Sequence, residues 1–165
     1  MAALKMKGDL AELKVATDLL ERGYKIAIPY GEDWDFDLIF SRADRLERVQ
    51  VKHATSNGAF ISVQCCSHSL TKGRVKATKL YTAATIDWLA VYDATTDQCY
   101  YIPADELASG RRQLILRLTA PRNNQRAGIR YASDYLDPDP RLQFMMEPAG
   151  LEPAPSALQT PRSPN

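Results

Sequence analysis

Cysteine is scarce here: Cys65, Cys66 and Cys99 are the only three, and none forms a CxxC pair. Any pairing scheme leaves one thiol over, which argues against a disulfide framework and a cysteine zinc site and suits a reducing cytosol. Histidine is scarcer still, with only His53 and His68; neither lies in HNH-type spacing or in a Ser-His-Asp order. No apolar run is long enough to span a bilayer, and the opening MAALKMKGDL lacks the hydrophobic core of a secretory signal. These absences predict a soluble, cytoplasmic protein with no membrane partner. Proline is nearly missing from the first 120 residues, where only Pro29 and Pro103 occur, whereas seven of the ten prolines follow Asp137. The expected organisation is therefore one domain over 1–137 and a Pro-rich, disordered tail over 138–165.

A one-sided charge is also lacking. The net charge of +1 over 165 residues selects no class of partner, and the 45% apolar fraction is that of an ordinary globular chain. The positive charge is nevertheless grouped, at Lys5, Lys7 and Lys14, at Lys72, Arg74, Lys76 and Lys79, at Arg111, Arg112 and Arg117, and at Arg122, Arg126 and Arg130. Such runs serve as phosphate-binding surface or simply as solvated surface.

Apolar spacing predicts a helix over 3–22, with Leu10, Leu13, Ala16, Thr17 and Leu20 on its inner face, Glu12 beside that stripe, and Gly23 as its stop. A strand follows over 24–30, then an acidic turn with Glu32, Asp33 and Asp35. A calcium loop at DWDFDL is excluded because Leu38 stands where that motif needs glycine. Two alternating stretches, DFDLIF and ERVQVKH, joined by SRADRL, form a candidate hairpin. Gln50 and Lys52 are two apart and share a face, while Val49 and Val51 point the other way. Asp37, near the start of the first strand, can face the same side. Asp35 has the same parity and is the alternative acid. GAFISVQC (58–65) reads as a strand paired with the preceding one, and 68–86 as a basic loop followed by a short helix. DWLAVYD and CYYIP form a second hairpin, and PADEL is one helical turn with Pro103 at its start. QLILRL is the last strand, and a helix is expected in the second half of 121–136. Trp34 and Trp88 are expected in the core. This order describes an α+β or α/β domain with a mixed central sheet.

Taken singly, Asp37 is no more than a strand cap and Lys52 an exposed strand lysine. Together, a helix bearing Glu12, Asp37 opening a strand and Gln50-Val51-Lys52 on the next resemble the PD-(D/E)xK nuclease superfamily. The segments KGDLAELKVATDLLERGY, DFDLIF, RVQVKHA, IDWLAVYD, YYIPADEL and LRLTAPRNNQRAGIRYASDY, in that order over about 5–137, resemble its group I intron-encoded homing endonucleases. The likeness implies a restriction-endonuclease-like core, a mixed sheet flanked by helices. It further implies a site-specific endodeoxyribonuclease that uses Mg2+, with Mn2+ able to substitute, acts on double-stranded DNA and assembles as a dimer or tetramer. Glu12, Asp37, Gln50 and Lys52 would then be the catalytic set. The glutamine replaces the acid commoner in the superfamily, and the intron-encoded group carries a glutamine there.

The chemistry agrees. Phosphodiester hydrolysis needs a divalent cation, a placed water and positive charge against the transition state. Magnesium takes hard oxygen ligands; Asp37, the Gln50 side-chain oxygen and the Val51 carbonyl supply them, with Glu12 completing the shell. Lys52 would orient water or offset developing negative charge, an effect on the order of 3 kcal/mol. For DNA contact the candidates are Lys72, Arg74 and Lys76, then Arg122, Asn123, Asn124, Gln125 and Arg126, since arginine reads guanine and asparagine or glutamine reads adenine. A structure-selective nuclease such as a Holliday-junction resolvase, and a nucleic-acid-binding protein with a decayed site, are the alternatives. The closing EPAGLEPAPSALQTPRSPN resembles a translated tRNA gene, as if the reading frame ran from an intron into a tRNA exon.

Overall fold

The structure, a computed structural model, describes residues 2–31, 34–71, 74–108, 111–120 and 127–139. Helix α1 (Ala2–Glu21) comes first, followed by β1 (Lys25–Ala27), β2 (Leu38–Arg42), β3 (Arg45–Ala54), β4 (Phe60–Gln64), β5 (Cys66–Thr71), β6 (Arg74–Leu80), β7 (Trp88–Asp93), β8 (Gln98–Pro103) and β9 (Gln113–Arg117). Single 3-10 turns span Ala104–Glu106 and Ala132–Tyr135. The second stands where a helix was expected.

α1 stops as its sequence dictates. Gly23 takes φ 84°, and the Gly23 and Tyr24 N–H groups donate back to the carbonyls of Leu20 and Leu19 at 2.9 and 3.0 Å, the glycine-terminated cap that side chains with a Cβ resist. Its inner face differs from the expected one. Ala11, Val15, Ala16 and Leu19 are buried, whereas Leu10, Leu13 and Leu20 are 45%, 64% and 54% exposed and Thr17 faces solvent. The helix carries apolar residues on two opposite faces, and the i, i+4 row Ala11, Val15 and Leu19, small at its first positions, is the one that packs on the sheet.

The central sheet has the order β1-β2-β3-β7-β8. β2 and β3 form the anticipated hairpin, but its turn is only two residues long. Ala43 (φ 46°) and Asp44 (φ 63°) are both left-handed, as the tight turn matching strand twist requires. β3 pairs in parallel with β7 (Val49 opposite Trp88, Ala54 opposite Asp93), and β7 and β8 form the second hairpin. β3 is therefore central, which is why a candidate site on it is held firmly.

Each face of this sheet has its own core. α1 packs Ala11, Val15 and Leu19 against Leu38, Phe40, Val49, Val51, Ala90 and Tyr101. On the other face Ile61, Val63, Leu114 and Leu116 of β4 and β9 cover Leu89, Val91 and Ile102. Among the described residues α1 is the one α-helix, so the second face is flanked by a β-ribbon and not by helices.

Three expectations need correcting. β4 does not pair with β3 but antiparallel with β9, because β3 has β7 along one edge and, on the other, β2 up to Val49 and then the Asp37 carboxylate. The segment 68–86 holds the antiparallel ribbon β5–β6 in place of a loop and helix; its Ser, Thr and Lys residues suit an exposed ribbon as well as a loop. Trp34 is 55% exposed, its indole N–H donating to the Tyr30 carbonyl at 2.9 Å, whereas Trp88 is in the core as expected.

The turn from β3 to β4 hangs on Asp93. This carboxylate, wholly buried, accepts from the Ser56 N–H (2.7 Å), the Ser56 hydroxyl (2.8 Å) and the Thr96 hydroxyl (2.8 Å). Asp93→Ala leaves these donors unpaired and is expected to lower the unfolding free energy by about 3 kcal/mol. Urea denaturation checks this; a loss below ~1 kcal/mol contradicts it. At the other end of the described chain Arg22 binds Asp137 at 2.9 Å and Arg42 donates to the Pro138 carbonyl at 3.1 Å. Residues 137–139 are thus packed against the domain, and 140–165 lie outside the described residues.

Candidate functional site

Alternation along β3 separates the strand's two tasks. Val49 and Val51 belong to the α1-side core, which turns Gln50 and Lys52 to the opposite face. Asp37 immediately precedes β2, whose Leu38 and Phe40 also face α1, so Asp37 shares the face of Gln50 and Lys52. Its backbone N–H donates to the Val49 carbonyl at 2.8 Å. Its Oδ2 accepts the Val51 N–H at 2.7 Å, taking the place of the strand neighbour that β2 no longer supplies.

Gln50 is buried, and its amide Nε2 donates to Asp37 Oδ2 and, at 3.3 Å, to the Val51 carbonyl. Asp37, Gln50 and the Val51 carbonyl, read from sequence as ligands, therefore converge. Lys52 stands one strand repeat further on, its Nζ 4.9 Å from the centroid of the Tyr81 ring. Tyr81 was not among the expected site residues. It lies in a segment read as loop and helix, where Lys79 shares the parity of Tyr81 and Leu80 the other, so no alternation marks the tyrosine as buried.

Glu12 approaches from α1 and borders a recess of about 250 Å³ that it shares with Asp9, Leu13, Ala16, Ile28 and Leu38. Its carboxyl pKa is raised above the ordinary value by burial first, then by the charges of Asp37 and Asp9, with Lys52 opposing. Asp37 is raised as well, again by burial, against the lowering effects of the Val51 N–H, Lys52 and Gln50. Two carboxylates short of solvation, one of them raised by the other's charge, form a site that favours added positive charge.

The donor set fits a divalent cation with a preference for hard oxygen: two carboxylates, a main-chain carbonyl and an amide. A half-turn of the Gln50 amide exchanges Nε2 for Oε1 and presents an oxygen beside Asp37 and Val51. Among the described residues no three Asp, Glu, His or Cys side chains cluster as a metal site, so a cation here relies on only two charged ligands.

Other candidates fall elsewhere. Asp35 forms an ion pair with Lys79. The His53 ring packs edge-on against Tyr92, centroids 5.9 Å apart, and Tyr92 belongs to the α1-side core. His68 Nδ1 lies 3.0 Å from the Thr78 hydroxyl and its Nε2 3.6 Å from Cys66 Sγ on the β5–β6 ribbon. Arg74 and Lys76 lie in β6. Lys72, Arg122, Asn123, Asn124, Gln125 and Arg126 lie outside the described residues.

Comparison with protein-family models matches residues 2–138 to the family described as PD-(D/E)XK endonuclease. Among solved structures, a bacterial homing endonuclease, I-Ssp6803I, superposes with a TM-score of 0.62 at 22% identity, over 79% of this chain and 86% of that one. At this identity the likeness shows a shared fold. Among curated protein sequences no match is found.

Proposed function

This chain belongs to the PD-(D/E)XK endonuclease family, and from that premise we propose that it is a Mg2+-dependent, site-specific endonuclease of double-stranded DNA, a homing endonuclease in role. The observation that carries the reading is that Asp37, Gln50 and Lys52 share one face of the sheet, with the Asp37 and Lys52 charges both acting on Glu12. A solved structure that shares this fold is a homing endonuclease, which favours that role.

Asp37, Gln50, Glu12 and the Val51 carbonyl hold the cation in this proposal. Family members generally use divalent metal; when bound, the metal supplies positive charge against the phosphate oxygens of the transition state. Asp37 is fixed for that task by the Val51 N–H, while the Gln50 amide gives up its bond to Asp37 and turns its oxygen to the cation. Lys52 projects its ammonium from the same strand, where it steadies the attacking water or the charge developing on phosphate. Lys72, Arg74, Lys76, Arg122, Asn123, Asn124, Gln125 and Arg126 contact DNA, and a dimer or tetramer reads a long target through two-fold symmetry. The domain is 1–137, 138–165 is a Pro-rich tail whose first residues still pack on it, and the closing EPAGLEPAPSALQTPRSPN is read through into a tRNA exon; a 3′ flank without a tRNA gene removes that last idea.

The test uses the full chain, Mg2+ and a plasmid library of genomic fragments, with cut ends sequenced. Recurrent cleavage at one long site, lost with EDTA and restored by Mg2+ or Mn2+, is expected. Cutting of four-way junctions irrespective of sequence would identify a resolvase. Binding without cutting under any divalent ion would identify a decayed nuclease.

A further inference from the structure

We propose that Tyr81 is the positioning residue of Lys52, and that through it the β5–β6 ribbon is held in register with the catalytic centre; this rests on Lys52 acting as the site's cation. The Lys52 ammonium lies over the Tyr81 ring, 4.9 Å from its centroid. A lysine carries its charge on a flexible four-carbon stem and needs something to aim it. A carboxylate would aim it but would also neutralise it and occupy its N–H donors. A ring face attracts the charge through its quadrupole and leaves the other side of the ammonium open. Among the described residues Lys52 forms no ion pair, so the ring is its direct partner.

Tyr81 is itself anchored. It is 4% exposed, packs in the core with Ile86, Leu89 and Val91, and donates its N–H to the Cys65 carbonyl at 3.1 Å. The ring is thus part of the interior, a fixed surface against which Lys52 rests. Two residues earlier Lys79 pairs with Asp35, itself two residues before Asp37. The base of the ribbon therefore touches the site twice, at Lys52 through Tyr81 and at the approach to Asp37 through Lys79.

The test compares cleavage by the wild type, Tyr81→Phe, Tyr81→Leu, Lys52→Ala and Leu107→Ala, with thermal unfolding of each. Leu107 is buried in the same core cluster as Tyr81 but is no part of the site, so its truncation controls for lost packing. Tyr81→Phe keeps the ring and is expected within twofold of wild type. Tyr81→Leu is expected to lose about tenfold in kcat, equivalent to ~1.4 kcal/mol, with KM for DNA little changed. Wild-type kcat in Tyr81→Leu beside a dead Lys52→Ala overturns the proposal and leaves the catalytic reading standing. Equal losses in Tyr81→Phe and Tyr81→Leu overturn it in favour of the hydroxyl. A similar kcat loss in Leu107→Ala overturns it in favour of general stability. Unimpaired cutting by Lys52→Ala instead removes the reading on which the proposal rests.

Discussion

Lys52→Ala is expected to slow DNA cleavage by two to three orders of magnitude, roughly the effect of losing one preorganised transition-state donor, while leaving DNA affinity within a few-fold. The separation follows from placement. Lys52 sits on the innermost strand of the sheet, between β2 and β7, and shares its face with Gln50. The basic runs proposed to hold the DNA backbone are other residues, so binding survives the substitution. The fold survives too, since alanine suits a half-buried strand position and leaves Val49 and Val51 in their core. Lys52→Arg should recover little, because a planar guanidinium delivers its charge at a different point from an ammonium. Single-turnover cleavage and a filter-binding titration on the same DNA check both halves. A cutting rate within fivefold of wild type would remove Lys52 from the site.

Asp37→Asn is expected to act in opposite directions on stability and activity. Burial raises the Asp37 pKa, and burial together with the Asp37 charge raises that of Glu12. Between the ordinary carboxylate value and the raised one, the native state binds more protons than the unfolded chain, so metal-free stability falls as pH rises through that window. Asparagine removes the poorly solvated charge, relieves Glu12, and keeps through its Oδ1 an acceptor for the Val51 N–H. The metal-free variant should therefore be at least as stable as wild type at neutral pH, with a flatter profile across the acid range. A cation at a hundredfold its dissociation constant stabilises a protein by about 2.7 kcal/mol; that increment should vanish in the variant together with cleavage. Thermal unfolding at several pH values, with and without Mg2+, reads all three effects. An undiminished metal-induced rise in melting temperature would show that the cation binds elsewhere.

Much of this was legible in the chain because it is local. The β2–β3 hairpin, the shared parity of Gln50 and Lys52, and the glycine stop of α1 each follow from a few neighbouring residues. What was not legible depended on distant partners. α1 has apolar residues on two faces, and only the sheet selects Ala11, Val15 and Leu19 over Leu10, Leu13 and Leu20. β4 was assigned to its neighbour in sequence, yet the parallel pairing of β3 with β7, made across residues 55–87, had already taken that edge. The ribbon β5–β6 was hidden by its polar composition, and with it the tyrosine facing Lys52. Asp37 was placed correctly as a strand opener, but its role as surrogate strand neighbour for Val51 is visible only in three dimensions.

The same parallel pairing bears on how the protein is made. All four groups of the proposed site have left the ribosome once residue 52 has emerged, yet the strand that carries two of them is still missing a neighbour. Its inner partner, Trp88–Asp93, and the ring at Tyr81 are translated only later. A chain that stops before residue 81 thus contains every reactive side chain, but with only the β2–β3 hairpin to hold Asp37 and Gln50 and no ring to aim Lys52. If the chain cuts DNA as proposed, competence arrives only with the finished sheet, and translation products that stop before residue 88 should show no cleavage.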